Sequence, residues 1–150
     1  MRVVIQKVKK ASVKVNNQLV GQINNGLVVL AGYEPLDIQE DISWMVHKII
    51  KMRIFEDSEN KLNFSVVDVN GEILLISQFT LHASVKKGNR PSYIKAADSK
   101  KAKQMYDQTI SEFETVLKRK ISTGKFGANM EVSLVNNGPV TIIIDSKIKE

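Results

Sequence analysis

The sequence contains no cysteine, which excludes disulfides, thiolate nucleophiles and cysteine-based zinc sites together. Its only histidines, His47 and His82, are too few for a histidine-rich metal centre, and no metal or other cofactor is expected. Arginine is scarce, confined to Arg2, Arg53, Arg90 and Arg119. No apolar run approaches the ~20 residues a membrane-spanning helix requires, so no membrane partner is expected. The opening MRVVIQKVKK alternates and gathers lysines at once. That is the pattern of a first strand and not of a secretory signal, which points to a cytoplasmic protein.

What is present is ordinary for a globular chain: 150 residues, 43% hydrophobic and 25% charged. A chain of this length is expected to form a single domain over residues 1–150 and to hide roughly 70% of its unfolded surface. The charge is less ordinary. Basic residues number 22 against 16 acidic ones, for a net charge of +6 and a pI near 9.5. Such a balance suits a polyanionic partner such as nucleic acid, although widely scattered lysines fit a merely lysine-rich surface equally well.

The first third has the alternation of β-structure. Val3, Ile5, Val8, Val13 and Val15 precede a turn at Asn16-Asn17, and Leu27–Ala31 is apolar on both sides, as in a central strand. Over residues 37–52 the period becomes helical through Ile38, Ile42, Met45, Val46 and Ile49, with Asp37 and Glu40 placed for a capping box. Residues 66–79 return to β, with Asn70-Gly71 as a hairpin signal. A second helix is predicted from about Ser99 to Arg119, with Ala102, Tyr106, Ile110, Phe113 and Leu117 on one stripe. Two strands, 131–135 and 140–145, close the chain. The order predicts an α+β fold, a mostly antiparallel, barrel-like sheet with two main helices packed on it.

Four stretches can carry chemistry. Ser77-Gln78-Phe79-Thr80-Leu81 puts hydroxyls and an amide just past a buried strand, where polar groups need partners, though a strand emerging into solvent would look similar. His82 follows Thr80 by two positions and would share its face in a strand, but no nearby acid is placed by sequence to orient the ring. His47 has the setting of a half-buried structural residue. Lys86, Lys87 and Arg90 share one Gly-containing loop that can grip phosphate or simply be a solvated turn. Around Phe126, the small residues Gly127 and Ala128, followed by Met130, leave room for a flat ring to stack, or form a loop with one core aromatic. Gly138-Pro139, within NNGPVT, uses the residue types of a hairpin turn.

Taken together, MRVVIQKV, GLVVLAG, KIIKMRIFED, SQFTL, GNRPS, TGKFGANM and VNNGPVT resemble the blocks of the D-aminoacyl-tRNA deacylase family over essentially the whole chain. The resemblance implies a homodimeric tRNA-editing hydrolase that cleaves the ester between a D-amino acid and the terminal adenosine of tRNA. It implies that Gly138-Pro139, joined by a cis peptide bond, enters the partner subunit's pocket and rejects L-residues, so that glycyl-tRNA would also be cleaved. Ser77, Gln78, Phe79 and Thr80 would line the pocket, with Thr80 positioning the substrate and not acting as an essential nucleophile. Phe126, Gly127 and Ala128, with Met130, would lie near the adenine. Lys86, Lys87 and Arg90 are expected to contact tRNA phosphates, and the RNA's own 2′-hydroxyl to assist catalysis. His82 stands where the family commonly has Tyr, Leu62 where Met is frequent, and Asn89 where Arg is frequent. A non-catalytic RNA-binding domain and a Thr- or Ser-dependent esterase are the rival readings.

Overall fold

The structure is a computed structural model and describes residues 1–149. Its frame is one long strand, β1 (Arg2–Val15), which pairs antiparallel with three others. Along one edge it takes β3 (Gly26–Gly32) and then β2 (Gln18–Ile23); along the other it takes β8 (Glu131–Asp145). The sheet continues from β3 to β6 (Glu72–Ser77) and β7 (Ser122–Thr123), and both of these pairings are parallel. β7 then comes back beside β2, where the Ser122 hydroxyl donates to the Gln22 carbonyl at 2.7 Å. This curls the sheet into a nearly closed barrel. A small antiparallel ribbon, β4 (Phe55–Glu56) with β5 (Leu62–Phe64), stands apart.

Two helices pack on the sheet. α1 (Gln39–Lys51) buries Ile42, Met45, Val46, Ile49 and Ile50, and α2 (Ser99–Leu117) buries Ala102, Met105, Tyr106, Thr109 and Phe113. They meet Val3, Ile5, Leu27, Val29, Ile73 and Leu75 in the main core. A smaller cluster around Val8, Val13, Val28, Leu74 and Ile76 fills the barrel side. The apolar runs of β3 and β6 follow from burial on both faces. Among the described residues no helix is long and apolar enough to cross a membrane.

The expected mostly antiparallel α+β fold with two helices is present, and five local expectations change. Asn70-Gly71 turns the chain, but β6 pairs parallel with β3, so there is no hairpin there. The α1 box uses Asp41, which accepts from the Ile38 amide at 3.0 Å, while Asp37 accepts from the Glu34 amide and pairs with the buried N-terminal ammonium. The two closing strands are one strand: Gln6 faces Thr141 and Val8 faces Asn136, so residues 137–140 are a bulge along β1 and not a turn between partners. Thr80 and His82 lie in a 3-10 turn, Phe79–His82, which removes the strand geometry that would put them on one face. His47 is exposed, its ring held at the Ser43 carbonyl.

Candidate active site

β6 runs buried from Ile73 to Ile76 and then leaves the sheet. The Gln78 amide makes its last ladder contact, donating to the Ala31 carbonyl at 2.7 Å, before the chain folds into the 3-10 turn. Gly32 makes this possible. A Cβ there would lie 2.7 Å from the Gln78 carbonyl oxygen, closer than real side chains approach, and a tight 3.1 Å from the His82 ring. The Gln78 side-chain amide donates to the Thr80 hydroxyl, fixing both. Behind the turn His82 is buried with Nδ1 3.1 Å from Glu34, so an acid distant in sequence orients the ring.

Opposite this turn stands the loop after β7. The Gly124 amide donates to the Leu75 carbonyl at 2.9 Å, and Phe126 packs on Tyr106, their centroids 5.7 Å apart. Tyr106 is anchored in turn by its hydroxyl, which donates to the same Leu75 carbonyl at 2.8 Å. Between the two walls lies a cleft of about 520 Å³. Ser77, Gln78, Phe79, Phe126, Gly127, Ala128 and Met130 all line it, so the fold brings together two motifs some fifty residues apart in sequence.

The cleft is electrostatically quiet. Tyr33 is the one titratable side chain among its lining residues. Burial pushes that hydroxyl well above its ordinary value, although it donates to Thr109 at 2.9 Å, away from acid–base work near neutrality. Among the described residues no group of three or more His, Asp or Glu side chains is placed to hold a metal ion.

The other expected site residues lie elsewhere. Thr80 touches the cleft only through Gln78. Lys86, Lys87 and Arg90 are exposed in the loop beyond the turn. Gly138 and Pro139 sit in the β8 bulge, joined by a cis peptide bond, with Gly138 at φ 118° above the buried Lys7. They do not line their own chain's cleft. Conversely, the cleft includes Tyr33, Ala97, Ser99 and Val132, which the sequence did not single out as site residues, and Asn129, which falls in the TGKFGANM stretch without a role of its own. Ala102 was legible only as a helix core position. The Ala97 amide donates to the Tyr33 carbonyl at 2.9 Å, which draws the start of α2 over the end of β3; no local pattern announces that contact.

Comparison with known proteins finds relatives over the whole chain. The family model described as D-Tyr-tRNA(Tyr) deacylase matches residues 4–145. D-aminoacyl-tRNA deacylases of Flavobacterium psychrophilum and Flavobacterium johnsoniae are each 56% identical over 150 residues, covering 100% of both chains. The solved structure of a c-Myc DNA unwinding element binding protein superposes with a TM-score of 0.92 at 39% identity, covering 97% of this chain and 98% of that one. A probable eukaryotic D-amino acid tRNA deacylase shares the fold, with a TM-score of 0.83 at 17% identity, covering 95% of this chain and 97% of that one. With the family model matched almost end to end and full-length relatives above half identity, the chain belongs to the D-Tyr-tRNA(Tyr) deacylase family.

Proposed function

We propose that the protein hydrolyses the ester joining a D-amino acid to the 3′-terminal adenosine of tRNA. The observation that carries this reading is the cleft itself: two family motifs, SQFTL and GKFGANM, face each other across a space with no nucleophile–base pair and no charge. An aminoacyl ester is already activated, so orientation and stabilisation of the developing oxyanion can suffice. The amides of Phe79 and Thr80 open the 3-10 turn, where they have no intrahelical acceptor, and they are our candidates to hold that oxyanion. Gln78 and Thr80 position the ester. Phe126, Gly127, Ala128 and Met130 take the adenine. The substrate's own 2′-hydroxyl assists as water adds to the acyl carbon, the acyl–oxygen bond breaks and the 3′-oxygen takes the proton.

The chiral filter comes from a second copy of the chain. Gly138 and Pro139 do not line their own chain's cleft and are exposed on β8. The other edge of β8 has no strand partner among the described residues, and Val132, Val135 and Ile143 are exposed along it. An unpaired, partly apolar edge of this length favours covering by another protein surface. In the homodimer, glycine at 138 lets backbone approach the substrate's Cα where an L side chain would project. Glycyl-tRNA, with nothing to exclude, should then be cleaved too. Lys86, Lys87 and Arg90 meet tRNA phosphates, an attraction that weakens with salt.

The test is incubation with matched D-, L- and glycyl-tRNA, following release of free tRNA. Cleavage of D and glycyl but not L substrates is expected, and substrate ending in 2′-deoxyadenosine, acylated on the 3′-oxygen, should be nearly inert. Thr80→Ala should slow release without abolishing it, whereas loss of a true nucleophile costs around a million-fold. Equal cleavage of L-aminoacyl-tRNA, or binding without cleavage, overturns the reading.

A further inference from the structure

At the rim of the cleft Phe79 and Tyr93 meet edge to face, with centroids 5.0 Å apart and planes at 72°. Both remain in water, 55% and 39% exposed. Phe79 also lines the cleft, and Tyr93 stands one step outside it. Pairs of large rings are ordinarily buried, because their faces gain most when covered. This pair keeps about half of Phe79 and over a third of Tyr93 in contact with solvent.

The segment that carries the pair is basic in sequence, although Lys95 shares a neighbouring pocket with Glu34. No Asp or Glu occurs from Ile73 to Ala97. Within that span Lys86, Lys87, Arg90 and Lys95 are all exposed. None of the four makes an ion pair among the described residues. The loop that carries them is closed at its neck by paired bonds between Ser84 and Ser92, at 2.8 and 2.9 Å, which puts Tyr93 directly after the closure. Aromatic faces beside a groove of uncompensated cations are the two elements by which proteins hold single-stranded nucleic acid.

We propose that the Phe79–Tyr93 pair is a stacking platform for the base of the nucleotide that precedes the terminal adenosine. Lys86, Lys87, Arg90 and Lys95 neutralise the phosphates on either side of it. This rests on the function proposed above: once the adenosine occupies the cleft, the RNA chain leaves over this rim. The platform reads a flat face and not a base edge, so it accepts any base at that position. Its contribution is to hold the strand end unstacked from the acceptor stem while the ester is in the cleft.

The experiment compares two D-aminoacylated substrates, adenosine alone and the dinucleotide cytidylyl-adenosine, with the wild-type protein, Tyr93→Ala and Tyr93→Phe. Wild type should show a lower KM for the dinucleotide. Tyr93→Ala should reduce that advantage by at least fivefold, the scale of one base–aromatic stack. Tyr93→Phe, which keeps the ring, should retain it. Replacing the cytosine by an abasic sugar should cancel the advantage in wild type. If Tyr93→Ala preserves the full dinucleotide advantage, or if the abasic substrate gains as much as the intact one, the platform is wrong. A change in oligomeric state in Tyr93→Ala with the advantage intact would instead assign the pair to a protein contact and also overturn it. Failure of the wild-type protein to cleave D-aminoacyl-tRNA, run alongside as a control, would instead overturn the proposed function itself.

Discussion

The two walls of the cleft and the β8 bulge belong to the same proposed site but are held in opposite ways. The Gln78 turn and the Phe126 loop hang on the core through backbone bonds to Ala31 and Leu75, with Gly32, Tyr106 and His82 filling the space behind them. Gly138 and Pro139 are exposed, and the atoms nearest a side chain at 138 would be those of Val140 and the aliphatic part of Lys7. One half of the site is therefore built by folding. The other is presented outward, where the proposed function has it serve a second copy of the chain.

That contrast is open to attack from either side. The largest effect should come from Gly32→Ala. The new Cβ meets backbone, the Gln78 carbonyl at 2.7 Å, and cannot be relieved by a side-chain rotation. Destabilisation of about 1–3 kcal/mol is expected, with at least tenfold slower deacylation, read by thermal melting and turnover. Normal turnover would show that the turn is held by something other than its fit against β3.

Gly138→Ala should behave differently. At φ 118° an L-residue is strained, and its Cβ would lie 2.8 Å from the Val140 side chain and 3.2 Å from the Val140 amide nitrogen, a looser backbone contact than the one at Gly32. Stability should fall by only about 1–2 kcal/mol, while D-specific activity is largely lost. Mixing Gly138→Ala with Gln78→Ala subunits sharpens the comparison. If the bulge serves the partner's cleft, mixed dimers regain one working site, and silence from the mixture would put both residues in one chain's site.

The smallest effect is expected far from both regions. Burial raises the Asp41 carboxyl, but the Lys147 ammonium and the Ile38 amide outweigh it and hold it at about 2. A carboxyl lowered in the folded state stabilises above its ordinary value near 3.8 and loses that contribution as pH falls toward 2. Lys147 is partly exposed, so Lys147→Ala should cost less than about 1 kcal/mol at neutral pH. The difference from wild type should shrink in melts carried from pH 5 to pH 2. Cleft activity should not change.

The sequence made the elements legible wherever periodicity was strong, as in β1, β3, α1 and α2. It also made the two cleft motifs visible, because polar residues directly after a buried run stand out. It misled at Asn136–Pro139, since Asn, Gly and Pro serve a bulge as well as a turn. Only the long pairing of β8 with β1 distinguishes the two. Tyr33 and Ala97 were invisible for a related reason: their role arises from one backbone bond between segments sixty residues apart. The Glu34–His82 contact was hidden in the same way.

The pairing of β1 with β8 also sets a clock on synthesis. β8 begins more than a hundred residues after β1 ends. At ordinary elongation rates of 5–20 residues per second, β1 must wait roughly 6–23 s on the ribosome with one edge unpaired. During that interval β2 and β3 can cover only the opposite edge. The barrel side of the core, which includes Val8 and Val13, cannot close until nearly the last residues emerge. Contacts this distant in sequence slow folding relative to local ones, so the nascent chain should expose this strand edge to chaperones late into translation.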